Sequence, residues 1–325
     1  MADARKRNQP QAPAAKTPRL PAGATSQAYL FLTITALSWG GNAVAGRLAV
    51  GEVSPMALTA LRWLCVVTIL VPLAWRDLRA HEATIRAHWR RIALMAVAGF
   101  TSFNALLYAA AHYTSAVNLT IIQGGIPVVV LVGALVVYGT RITTLQVAGM
   151  LVTLAGVATV AAQGSLATLL SLSFNPGDVL MMAAGLAYAG YTLALRSRPA
   201  MPQLAFFTAM AAVAFLASLP LLAFEVTTGS VIWPGPTGLA ILAFVAVFPS
   251  LIAQLFFMRG VELIGPGRAG LFVNLVPVFG AMLAVAILSE PFHLYHAVAL
   301  ALVLGGIALA ERGKGKVEST AGARR

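Results

Sequence analysis

The chain has 325 residues, 59% hydrophobic and 10% charged, with a mean hydropathy of +0.84. Soluble domains carry about 25% charge, so this chain holds too little polar surface to cover a water-facing globule, and the bilayer is its expected solvent. A single cysteine, Cys65, excludes a disulfide framework or a thiolate metal site. The net charge of +12 is scattered between apolar runs instead of gathered on one basic face, which argues against a nucleic-acid partner.

Residues 1–26, with Arg5, Lys6, Arg7, Lys16 and Arg19 among Pro and Ala, read as a disordered basic cytoplasmic tail. Ala43-Val44-Ala45 resembles a leader cleavage site, but the apolar run before it is too long for a signal peptide, so it is read as a retained helix. Apolar segments then follow at 27–48, 54–75, 92–112, 115–138, 142–162, 178–196, 203–224, 238–259, 267–288 and 293–311. Each is long enough as a helix to cross a hydrocarbon core of about 30 Å at about 1.5 Å per residue, and none alternates with the period of a barrel strand. With the N-terminus inside, all but Arg47 and Arg62 of the 22 Lys and Arg fall on the cytoplasmic side of ten spans, the asymmetry expected of a membrane protein with both termini inside.

The segments repeat. Pro127 aligns with Pro277 and Gly156 with Gly306; Trp39 aligns with Tyr188, Gly41 with Gly190 and Arg47 with Arg196, at a nearly constant offset. Residues 27–162 form a first unit of five helices and 177–312 a second, joined by an extracytoplasmic loop at 163–176 and followed by a basic tail at 313–325. Five spans is an odd number, so the second unit starts on the opposite side. The expected fold is an all-α integral membrane protein of ten transmembrane helices, two inverted five-helix repeats around a central cavity, an arrangement suited to alternating access.

Ser38-Trp39-Gly40-Gly41-Asn42, Ala60-Leu61-Arg62-Trp63, Tyr113-Thr114-Ser115-Ala116 leading to Pro127, and Pro277 leading to Ser289-Glu290-Pro291 resemble the EamA repeat of the drug/metabolite transporter superfamily, over residues 27–312. The resemblance implies a secondary transporter of the plasma membrane, in a bacterium the inner membrane, that exports amino acids or related small metabolites. Gly185-Leu186-Ala187-Tyr188-Ala189-Gly190-Tyr191 is similar to the aromatic amino acid exporters. Two departures stand out. Helix 4 ends in Gly139-Thr140 where the family often has Gly-Glu, and Gln123-Gly124-Gly125-Ile126 lacks the aromatics of a pocket devoted to aromatic substrates, which favours a broader amino acid range. A multidrug or nucleotide-sugar carrier on the same scaffold, and a non-transporting membrane enzyme or interaction subunit, are the alternatives.

Polar groups inside a membrane are costly unless paired or functional. Trp39, Asn42, Phe103, Asn104, Gln123, Tyr188, Tyr191, Gln254 and Asn274 fall near the midplane, with Ser250, and are the candidate substrate-binding residues. Their amides and hydroxyls suit a zwitterion and their rings suit a cation or an apolar side chain; helix–helix hydrogen bonding is the structural alternative for each. Pro127, Pro249 and Pro277 are candidate hinges. Arg62 is expected to pair with Glu52 or Glu290, the glycine pairs to pack, and the Asn118-Leu119-Thr120 sequon to be unused at the membrane edge. No catalytic residue, metal or cofactor is expected: no phosphate loop or His-Glu-x-x-His appears, and Asp178, Glu225 and Glu290 lie near helix ends. The expected partners are the small-molecule substrate and the lipid bilayer, with a monomer as the simplest unit.

Overall fold

The computed structural model describes residues 24–139, 142–167, 175–264, 269 and 272–322. Its main helices are α1 (Ala24–Leu48), α2 (Pro55–Ala80), α3 (Trp89–Ala110), α4 (Ala116–Tyr138), α5 (Thr144–Ala161), α6 (Pro176–Ser197), α7 (Gln203–Thr227), α8 (Pro236–Ile264), α9 (Val276–Leu288) and α10 (Leu294–Gly322). A short helix, Glu82–Ala87, joins α2 to α3. No strand occurs among the described residues. Seven of these helices, α2 to α8, are long and apolar enough to cross a membrane, where the sequence led us to expect ten. The shortfall has local causes. The 25 residues of α1 include Thr33, Thr35, Ser38 and Asn42, and α9 starts only after a turn at Asn274-Leu275. The tail expected before α1 falls largely outside the described residues, as do Arg141 and Arg268; the tail expected at 313–325 continues the helix of α10 to Gly322.

The packing is symmetric under exchange of the halves. Helix α1 lies against α8 and α9, and α6 against α3 and α4; α2 runs along α7, and α5 along α10. Each pairing maps onto another, or onto itself, when five is added to or subtracted from each helix number. Close van der Waals packing and interhelical hydrogen bonds hold this assembly in a bilayer, and glycines set its closest approaches. A Cβ on Gly40 of α1 would lie 2.7 Å from the backbone nitrogen of Gly280 of α9, and one on Gly149 of α5 would lie 2.5 Å from the carbonyl oxygen of Gly306 of α10.

Successive helices run in opposite directions. At one end, here called distal, the end of α1 meets the start of α2, the end of α3 the start of α4, and so on through the chain. Glu225 at the end of α7 accepts from Ser54 Oγ (2.5 Å) and from the backbone nitrogens of Met56 (3.0 Å) and Ala57 (3.1 Å), so it caps α2. Glu290 beyond α9 accepts from the nitrogens of Ala116 and Val117 at 2.9 and 3.0 Å, and so caps α4. A carboxylate at a helix N-terminus satisfies orphan donors and meets the positive end of the helix dipole. At the opposite, proximal end, Arg91 donates to the Ser197 carbonyl and Tyr138 to the Leu193 carbonyl.

Four helices depart from regularity in matching pairs. Val97–Ser102 in α3 and Ala246–Ile252 in α8 are π-helical, at positions related by the repeat offset. Pro72 and Pro220 lie inside α2 and α7, again nearly one repeat apart. Two of the three candidate hinges are placed differently from expectation. Pro249 is in the α8 π turn. Pro127 and Pro277 do not interrupt continuous helix; each is in the first turn of a helical piece, where its missing N–H costs nothing. The break itself lies just before, at Gly124-Gly125 in α4 and at Asn274-Leu275 ahead of α9.

Candidate functional site

Arg62 is the charged residue in the middle of α2, and it is 4% exposed. Ionised groups in a membrane interior cost several kcal/mol unless they are compensated. Three other helices supply the compensation. Its Nε donates to Ser250 Oγ of α8 (2.6 Å), and its Nη1 to Asn42 Oδ1 of α1 (3.1 Å), Asn104 Oδ1 of α3 (2.5 Å) and the Tyr108 hydroxyl of α3. The guanidinium also lies 5.4 Å from the Trp63 ring centroid. Every partner is neutral. The expected pair with Glu52 or Glu290 does not form among the described residues, and Glu290 is committed to the α4 N-terminus. The remaining amino group, Nη2, makes no hydrogen bond among the described residues and is not one of the sealed, unpartnered polar atoms.

Both π turns point their chemistry at this cation. Ser250, which bonds Nε, is in the α8 turn and returns its own hydrogen to the Val245 carbonyl (2.5 Å). Asn104, which bonds Nη1, donates through Nδ2 to the Phe100 carbonyl of the α3 turn (2.6 Å). The α8 turn is also stitched to α1, where Trp39 Nε1 donates to the Pro249 carbonyl at 3.1 Å and Thr35 Oγ1 to the Ala253 carbonyl at 3.1 Å. π segments shift backbone groups out of the regular ladder and recur at functional sites.

An aromatic wall adjoins the cation. Trp63 stacks on Phe100 at 4.7 Å, Phe100 meets Tyr191 at 5.6 Å, Tyr191 meets Tyr188 at 5.3 Å, and Tyr188 meets Phe103 at 5.0 Å. Tyr191 also lines a cavity of about 990 Å³ that opens at the proximal end beside Trp89, Leu94 and Tyr138. A second cavity, of about 700 Å³, opens at the distal end.

Of the candidate residues, Asn42 and Asn104 thus join the Arg62 network, Phe103, Tyr188 and Tyr191 join the aromatic wall, and Trp39 braces the α8 π turn with its ring 5.4 Å from Phe257. Gln123, Gln254 and Asn274 are half-buried, make no side-chain hydrogen bond among the described residues, and stand apart from the network. Sequence reasoning expected Arg62 to pair with Glu52 or Glu290 and placed neither it nor Tyr108 among the binding residues. The available signal was Arg62 itself, a lone cation in an apolar run with no acid near it in depth.

His112, in the distal connection between α3 and α4, lies outside the spans. Burial, then the nearby Arg47 guanidinium, holds its imidazole below the ordinary range, against an opposing pull from Glu225.

Two stretches, residues 26–162 and 175–311, match the EamA-like transporter family. An uncharacterized transporter of Bacillus subtilis (strain 168), YyaM, is 25% identical over 289 residues, 86% of this chain and 92% of its own. An uncharacterized transporter of Archaeoglobus fulgidus is 25% identical over 288 residues, 87% of this chain and 97% of its own. A solved crystal structure superposes with a TM-score of 0.61 at 19% identity, over 88% of this chain and 96% of the other, a likeness of fold.

Proposed function

We propose that this chain, which belongs to the EamA-like transporter family, exports amino acids or related small metabolites by alternating access between its two halves. All ten helices cross the bilayer in this reading, the halves are inverted, and the lysines and arginines place both termini in the cytoplasm, so that the distal end faces out. The plasma membrane is its site, and it needs no catalytic group.

One observation carries the reading. Two π turns, equivalent under the repeat, converge on a buried guanidinium whose partners are all neutral. A cation held this way lacks a counter-charge, and a substrate carboxylate supplies one through Nη2, as arginine does for planar anions. The aromatic wall beside it takes the rest of the molecule, and its rings favour an ammonium or an apolar side chain. Gln123, Gln254 and Asn274 face neither a partner nor a sealed core, which suits polar groups lining a path. Exchange of the paired contacts α1–α8/α9 and α6–α3/α4 then gives the inward and outward states.

The test is flux of labelled amino acids through liposomes holding the purified chain. Gln123→Ala, Tyr188→Ala and Arg62→Lys should each lower flux at equal membrane abundance. Lysine keeps the charge but not the planar fork, so unchanged flux in Arg62→Lys would remove the carboxylate from that position, and unchanged flux in the other two would leave those side chains with packing alone.

A further inference from the structure

Asp178 lies in the first turn of α6, is 0% exposed, and has one oxygen, Oδ2, with no hydrogen-bond partner. Its other oxygen ends a chain of donors that all point one way. The His293 backbone nitrogen donates to His296 Nδ1 (3.1 Å), and His296 Nε2 faces Asn118 Oδ1 (3.1 Å). Asn118 Nδ2 donates to Thr114 Oγ1 (3.1 Å), and Thr114 Oγ1 donates to Asp178 Oδ1 (2.6 Å). Because Nδ1 of His296 is an acceptor, its hydrogen is on Nε2 and the ring is neutral. His296 therefore offers Asp178 no counter-charge.

Two of the other charged groups around this corner are committed elsewhere. From α1, Arg47 donates to the Ala111 carbonyl (2.7 Å); from beyond α9, Glu290 holds the α4 N-terminus. His112 and Tyr113 precede Thr114, the Tyr113 carbonyl accepts from Asn175 Nδ2 (2.7 Å), and Tyr295 of α10 and His293 just before it complete the ring of neighbours. None of them donates to Oδ2. A carboxylate here is a buried charge with one bonded oxygen and no cation, offset in part by the positive end of the α6 dipole. That dipole returns less than an unpaired buried charge costs, whereas a neutral carboxyl is far cheaper to bury. Beside it opens the distal cavity of about 700 Å³, lined by Thr114, Asn118, Arg47, His112 and Tyr295.

We propose that Asp178 is the proton-binding group of this carrier, taking a proton onto Oδ2 from the distal, external cavity and releasing it to the other side when the halves exchange. The inference rests on the carrier reading above and adds the coupling ion to it. The step is a simple association: one carboxylate and one proton give one carboxyl, with no other reactant. A hard metal cation takes about six oxygen ligands, and a single free oxygen fits a proton instead. Thr114, Asn118 and His296 act as positioning residues, since their hydrogen bonds fix which oxygen is left open.

Two measurements separate this inference from the carrier reading. Infrared spectra of the purified full chain in lipid nanodiscs should show a protonated-carboxyl band at neutral pH that disappears at alkaline pH. Asp178→Asn should lack that band, and His296→Gln, which keeps an amide donor for Asn118, should retain it. Absence of the band in the wild type, or its persistence in Asp178→Asn, would overturn the proposal whether or not any amino acid is carried. In liposomes, accumulation of a labelled amino acid driven by a proton gradient should be lost in Asp178→Asn, while exchange of labelled for unlabelled substrate, which needs no net proton movement, still runs. Accumulation driven by a sodium gradient instead, or proton-driven accumulation surviving in Asp178→Asn, would contradict it. Failure of the wild type to carry any amino acid would remove the carrier reading and leave the infrared result to decide Asp178.

Discussion

Arg62 depends on each of its neutral acceptors, and removing one strands part of a buried cation. Asn104→Ala deletes an acceptor at 2.5 Å and leaves the Phe100 carbonyl with the Phe103 backbone N–H alone. The expected cost is about 1–3 kcal/mol, read as a lower unfolding temperature in detergent, and Asn42→Ala should behave alike because it serves both Arg62 and Tyr108. An unchanged melting curve in both variants would mean that the network is not bearing the charge. His112 gives a test of sign. Its depressed titration means that the folded chain holds the ring neutral while an unfolded chain takes up a proton, so its stabilising contribution is present above the ordinary histidine range and fades as pH falls through it. Arg47→Gln removes a repelling cation and should move the His112 resonance titration upward; a downward move would refute the assignment of that cause. The asparagines of this network were visible in the sequence because amides in apolar runs stand out. The role of Arg62 was not, because four acceptors drawn from three other helices meet only in three dimensions.

At the scale of the element, the departures from regular helix are where the chain concentrates its polar chemistry. Period and length were enough to find α2, α3 and α7. They did not reveal the π turns in α3 and α8, since one extra backbone residue per turn leaves no mark on composition. Nor did they separate a kink from a restart: Pro127 and Pro277 looked like interior prolines, yet the preceding Gly124-Gly125 and Asn274-Leu275 turns end the helix first. Helix α1 meets α9 at Gly40, where a Cβ would lie 2.7 Å from the Gly280 nitrogen and 3.1 Å from the Val276 carbonyl oxygen. Backbone atoms cannot rotate aside, so Gly40→Ala should destabilise by about 1–3 kcal/mol, the range of overpacked cores. Gly190→Ala, which meets nothing within 4 Å in a helix interior, is the matched control and should hold or slightly raise the unfolding temperature in the same assay.

The whole molecule is a pair of halves that hold each other. The repeat was legible in the sequence through Pro127/Pro277 and Gly156/Gly306, but the exchange-symmetric packing and the paired caps of Glu225 on α2 and Glu290 on α4 required the structure. Both caps cross between halves at the distal end, so the proposed alternating-access cycle requires them to break when that end opens. Glu290→Gln weakens one of them and should favour the outward-open state, raising the labelling rate of a cysteine placed in the distal cavity in a chain where Cys65 is replaced by alanine; slower labelling would place the closure elsewhere. The central claim is that these halves carry an amino acid whose carboxylate meets Arg62. The most direct measurement is flux through liposomes of labelled amino acids beside their decarboxylated amines. The account predicts saturable flux of at least one amino acid and none of its amine, with the difference lost in Arg62→Lys. Equal flux of acid and amine, or no flux of any amino acid with or without a pH gradient, would contradict it.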